Sequence, residues 1–192
     1  MKSEALDRRV KYTKMMLKQS LLELMADKPI NQITIKELCS LADVNRGTFY
    51  NHYNDQYDLL RQIQDELDFE IKVTINENLS ETASSSKIIT ETIRCISAQS
   101  SLCKVLFSKY GDTEFIKKLM YNAHDQCIAE WKTKLKQNDL KQLERYYLFT
   151  SNGIAAVIQE WLQNGMKESP QELVLFIEKA TNYGLSFFLN DV

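Results

Sequence analysis

The chain has 192 residues and a mass of 22.4 kDa, with 44% hydrophobic and 26% charged side chains. That is enough for one or two packed domains and excludes disorder over most of its length. The formal net charge of −2 gives no general affinity for polyanions. Its distribution is uneven: Lys2, Arg8, Arg9, Lys11, Lys14 and Lys18 face only Glu4 and Asp7 in the first 18 residues, so a polyanion partner is expected at that end.

Five glycines and two prolines are too few for the tight corners of a sandwich or barrel, so the expected fold class is all-α. Cys39, Cys95, Cys103 and Cys127 have no CxxC spacing and read as free thiols in a reducing compartment, with no metal site and no cofactor implied. The polar N-terminus and the lack of a long apolar run predict a cytoplasmic protein that makes no membrane contact.

Val10, Leu17, Leu21 and Leu24 recur at helical spacing and predict a helix over about 8–27, stopped by Pro29. Thr34 and Glu37 have the form of a capping box, opening a short helix over about 35–42. Asp43 tolerates a left-handed turn, and Asn45 caps a second short helix over about 46–52. A helix of about 55–78 follows, rich in Leu and Ile. The Ser-rich stretch 80–87 marks the expected boundary between an N-terminal domain, 1–61, and a C-terminal domain, 80–192, with the fourth helix as connector. Beyond it the pattern predicts helices near 87–99, 101–109, 113–136, 140–164 and 171–189, about nine in total. Gly111 and Gly165 are expected as C-terminal caps, and Ser169-Pro170 as the start of the last helix.

Two short helices joined by a three-residue turn, after a basic amphipathic helix, are the layout of a helix-turn-helix reader of DNA. The segment ITIKELCSLADVNRGTFYNHYNDQYDLL, Ile33 to Leu60, resembles the N-terminal domain of TetR-type transcriptional regulators, most specifically in GTFYNHY. The resemblance covers residues 8–61; the rest is similar only in length, helical layout and the position of the last two long helices. It implies that Thr34, Thr48, Tyr50 and His52 serve the DNA backbone.

The residues themselves point the same way. Arg46 at the start of the second short helix can donate a bidentate pair to guanine, Gly47 permits close backbone approach, and Thr48 offers a hydroxyl or a methyl. Asn45 lies beside them, and Tyr50, Asn51, His52 and Tyr53 follow as candidate phosphate contacts, although Tyr50 could instead be half-buried with its hydroxyl satisfied internally. Two departures from the family pattern stand out: Asp43 replaces a frequent Gly, and Asn54-Asp55-Gln56 replaces a frequent phosphate-binding Lys.

A reader of palindromic duplex DNA needs two heads, so a homodimer is expected through the last two helices. Tyr146, Phe149, Gly153, Ala156 and Val157 form one strip, and Leu173, Phe176, Ile177, Ala180, Gly184 and Phe187 the other; the alternative is monomer core. Phe107, Tyr110, Tyr121, His124, Trp131 and Asn152 could line a pocket for a small-molecule effector. The resemblance implies a repressor released when that effector changes the separation of the heads. Control by a protein partner, activation, and an adaptor role stay open. His124, Asp125 and Cys127 are the one cluster of nucleophile and base types, and it does not read as an enzyme site.

Overall fold

The computed structural model describes residues 8–76, 84–134 and 139–185 with their side chains, together with the helical backbone of 2–7, 77–78, 135 and 186–187. Among these residues the chain forms ten α-helices and no strand. They are α1 (Lys2–Asp27), α2 (Ile35–Leu41), α3 (Arg46–Tyr50), α4 (Gln56–Asn78), α5 (Ser85–Ala98), α6 (Ser100–Leu106), α7 (Thr113–Tyr121), α8 (His124–Leu135), α9 (Leu140–Gln163) and α10 (Pro170–Phe187), with a 3-10 turn at Ile30–Gln32. The chain divides into two units, Met1–Leu67 with Ser108–Gly111, and Asp68–Phe107 with Asp112–Val192. The division falls inside α4, and residues 80–83 of the Ser-rich stretch lie outside the described residues.

The first unit is built on local signals. Thr34 caps α2: its hydroxyl oxygen accepts from the Glu37 amide at 3.2 Å, while the Glu37 carboxylate accepts from the Thr34 amide at 3.0 Å. Lys28 adds an ion pair to Glu37 at 2.7 Å, and these bonds, the lysine first, hold the Glu37 carboxyl down to about 2. α2 ends in a Schellman turn, in which the Val44 amide donates to the Cys39 carbonyl at 3.0 Å and the Asp43 amide to Ser40 at 3.4 Å. Asp43 makes the required left-handed step at φ 52°, a position more often given to Gly. Asn45 then caps α3 by accepting from the Thr48 amide at 2.8 Å. Leu17, Leu21, Ile33, Leu38, Phe49, Leu59 and Ile63 bury completely or nearly so and form the core.

In the second unit, Gly165 at φ 83° closes α9 with the same Schellman pattern, Met166 amide to Trp161 carbonyl at 2.9 Å and Gly165 amide to Leu162 at 3.3 Å. Ser169 and Glu172 form a second capping box, with Pro170 at the first helical position of α10. Gly111, which belongs to the first unit, is different from expectation. α6 already ends at Leu106, and the Gly111 amide only closes a turn on Ser108 at 2.9 Å, without positive φ.

The helix expected over 113–136 is two helices, so ten form where about nine were expected. No Gly or Pro breaks it. The cause is tertiary: Asn122 ends α7, and its side-chain amide donates to Asp68 at 2.7 Å, a bond across 54 residues. Asp68 is itself buried and gathers Lys72 at 2.8 Å and Lys118 at 3.2 Å; burial opposes its charge, but these bonds outweigh that and keep its carboxyl below the ordinary range. Trp161 is fully buried and donates its indole N–H to the Glu168 carbonyl at 2.9 Å.

Candidate nucleic-acid interface and sensory cavities

The capped α2–turn–α3 segment presents one polar surface. Thr34, Asn45, Arg46, Gly47, Tyr50 and Asn51 are exposed there, and Thr48 and His52 half-exposed. Thr34 and Asn45 spend their side-chain oxygens on capping. Arg46, Thr48, Tyr50, Asn51 and His52 have no side-chain hydrogen-bond partner among the described residues. Tyr50 is 57% exposed, resting edge-on against Phe49 with ring centroids 5.4 Å apart, so its hydroxyl is not satisfied internally. A Cβ at Gly47 would stand 3.2 Å from the Asn45 cap oxygen, so a side chain there would press on the cap.

Tyr53 is placed differently from the other expected contacts. It is 5% exposed, with its ring 5.7 Å from that of Phe49, and belongs to the core. The Asn54-Asp55-Gln56 departure also has a structural account: Asp55 accepts from the Asp58 amide at 2.7 Å and Asp58 from the Asn54 amide at 3.0 Å, so both carboxylates cap the start of α4. Tyr57, 46% exposed in the first turn of α4, is a polar side chain on this unit that the sequence reading passed over. Its only signal was an aromatic placed where helix periodicity expects a surface position.

The six candidate effector-pocket residues do not share a cavity. One cavity, about 640 Å³ including its mouth, is lined by Ile88, Ile93, Leu119, Ile154, Ile158 and Trp131 among others, and takes only Trp131 from the expected set. A second, wider cleft between α7, α8 and α9 contains Tyr121, His124 and Asn152. Phe107 and Tyr110 line neither: Phe107 is buried in the core, and the Tyr110 ring lies under the Lys109 ammonium.

His124 is buried between two carboxylates, with Nδ1 2.8 Å from Asp125 and Nε2 2.8 Å from Glu144. Burial disfavours its charge, but the two carboxylates outweigh that and raise its pKa above the ordinary value. Its ring stacks on Tyr121 at 4.5 Å and meets Tyr147 edge-on at 4.9 Å. Burial pushes the neighbouring Cys127 thiol up to about 12. Neither ring nitrogen is free to serve as base, and the thiol is not poised as a nucleophile.

A group whose folded pKa is raised stabilises fully below its unfolded pKa, and that stabilisation fades as pH rises through the folded value. The melting temperature lost in His124→Gln should therefore be larger at pH 6 than at pH 9. Equal losses in thermal melts at both pH values would show that the imidazolium is not the form that holds α8 to α9.

A family model described as the C-terminal region of TetR-type transcriptional regulators matches residues 83–183, more than half of the chain. The chain belongs to the TetR family of transcriptional regulators. This regulator is 33% identical over 51 residues to a Bacillus subtilis (strain 168) protein named as an uncharacterized HTH-type transcriptional regulator, YxbF; the match covers 27% of the chain and 13% of that relative's length. Its fold is similar to a TetR transcriptional regulator from Streptococcus agalactiae 2603V, with 16% identity, a TM-score of 0.67, and 93% of this chain and 98% of that one covered. It is similar again to the dihydroxyacetone kinase operon activator DhaS, with 20% identity, a TM-score of 0.63, and 92% and 97% covered. At these identities the two structures establish the fold alone. No helix among the described residues is long and apolar enough to cross a membrane.

Proposed function

We propose that this regulator is a homodimeric repressor that binds a palindromic operator in duplex DNA and is released by a small-molecule effector held in its second unit. The observation that carries the reading is the set Arg46, Thr48, Tyr50, Asn51 and His52, grouped on one capped motif and without side-chain partners of their own. Polar groups left open at one surface are suited to an external polar partner. Arg46, at the first position of α3, reads base edges, and the hydroxyls and the imidazole hold phosphates in register. The amide-rich start of α2, capped by Thr34, lies on the same motif and suits a phosphate.

Dimerisation proceeds through α9 and α10, and the expected strips divide into two faces. Tyr146, Leu173 and Ile177 are buried in the monomer, Val157 is half-buried, and a Cβ at Gly184 would come within 2.8 Å of the Tyr146 hydroxyl. Those positions are occupied within the chain. Phe149, Gly153 and Ala156 on α9, and Phe176 and Ala180 on α10, are exposed, with Phe149 at 76%. Tyr183, also 76% exposed, extends the second stripe, while the Phe187 side chain lies outside the described residues. Each stripe runs at i, i+4, i+7, so each forms a narrow apolar seam with small residues at its middle, and pairing with the partner's seams buries both.

Phe149→Asp combined with Phe176→Asp should convert the dimer to monomer in sedimentation equilibrium and cost at least about 100-fold in affinity for a two-half-site duplex, about 2.7 kcal/mol. A double variant that sediments as a dimer would rule out this interface.

A further inference from the structure

We propose that the cleft between α7, α8 and α9 binds a small aromatic carboxylate. This deepens the effector reading above by naming the ligand chemistry of that site. The cleft holds about 1280 Å³ of empty space, open side included, with Ile116, Met120 and Leu148 among its apolar walls.

Its charges are of mixed sign, but they are not equally engaged. Glu144 is tied to His124 at 2.8 Å, and Lys117 to Glu114 at 2.7 Å. Lys141 and Arg145, one turn apart on α9, also line the cleft and have no carboxylate partner among the described residues. With Glu144 held by His124, Lys141 and Arg145 are the cations of the cleft that have no carboxylate partner among the described residues, and they stand over an apolar floor. An Arg fork and a neighbouring ammonium suit a carboxylate, which the fork can meet with two parallel hydrogen bonds.

The aromatic part of the ligand follows from Tyr121. Its ring is 63% exposed although it lines the cleft, and it lies nearly parallel to the His124 ring, 11° between planes at 4.5 Å. That pair is a preformed stacking platform, and a flat ring laid on it buries apolar area and gains offset stacking. A neutral ligand would leave Lys141 and Arg145 unanswered. An aliphatic carboxylate would leave the platform unused.

Calorimetric titration of the full chain separates these contributions. Benzoate should bind saturably, with benzamide and acetate each at least about tenfold weaker, equivalent to about 1.4 kcal/mol. Lys141→Gln with Arg145→Gln should reduce benzoate affinity by about tenfold or more without lowering the melting temperature, since both side chains are exposed and unpaired. Tyr121→Ala should weaken benzoate and leave acetate unchanged. Benzamide binding as tightly as benzoate, no response to the double substitution, or no saturation by about 10 mM benzoate would each overturn the proposal. DNA is absent from the titration, so its failure is separate from any failure of the DNA-binding reading.

Discussion

Arg46→Ala is expected to bind duplex DNA while losing its preference among sequences. A bidentate Arg–guanine pair contributes about 1–3 kcal/mol of discrimination, so the operator-to-random affinity ratio should fall about 5- to 150-fold for each half-site. The guanidinium is exposed at the first position of α3, where the Asn45 cap fixes the helix start, and no carboxylate of the described chain competes for it. Tyr50→Phe makes the useful contrast. It removes one hydroxyl from an exposed ring that otherwise rests on Phe49, so all duplexes should weaken together, by about 1 kcal/mol for one lost hydrogen bond. Competition titrations with operator and scrambled duplexes read both effects. An Arg46→Ala protein with its full operator preference would place base reading elsewhere.

Phe49→Ala is expected to have the largest effect on stability. The ring is completely buried at the centre of the first unit, between Tyr50 and Tyr53 at 5.4 and 5.7 Å. Truncating a buried Phe costs about 3–5 kcal/mol, through lost burial and the cavity left behind. That is a large part of the 5–15 kcal/mol that typically separates folded from unfolded domains. Denaturant titration followed by circular dichroism should show the first unit unfolding at much lower denaturant, with duplex binding lost under the same conditions. Phe49→Leu, which keeps most of the volume, should cost far less. A loss below about 1 kcal/mol in Phe49→Ala would mean that the α2–α3 corner does not depend on this ring.

What could be read directly from the sequence was what local chemistry decides. The capping box at Thr34, the caps at Asn45 and Ser169, the left-handed Asp43 and the Gly165 closure involve residues a few positions apart, so residue type and spacing suffice to locate them. The break between α7 and α8 was hidden because Asn122 makes it with Asp68, far away in the chain. Tyr50 and Tyr53 are the same residue type three positions apart, yet Tyr53 fills the core and Tyr50 faces outward; packing decides which. On α9 and α10, one apolar pattern serves two faces. Periodicity marks Tyr146 and Phe149 alike, whereas only the fold assigns Tyr146 to Gly184 and leaves Phe149 open. The cavities were harder still, since an isoleucine-lined cavity has the same composition as a filled core.

The most direct test of the DNA-reading proposal is selection from a random duplex library. The purified full-length chain is exposed to the library at about 150 mM salt, where non-specific phosphate binding is weak, and the retained duplexes are sequenced. The expected result is an enriched palindrome whose half-sites are centred about one helical turn apart, as a two-fold dimer with two α3 heads requires. Retention without enrichment, or no retention by a folded dimeric sample both as purified and after denaturation and refolding to strip any bound ligand, would contradict it.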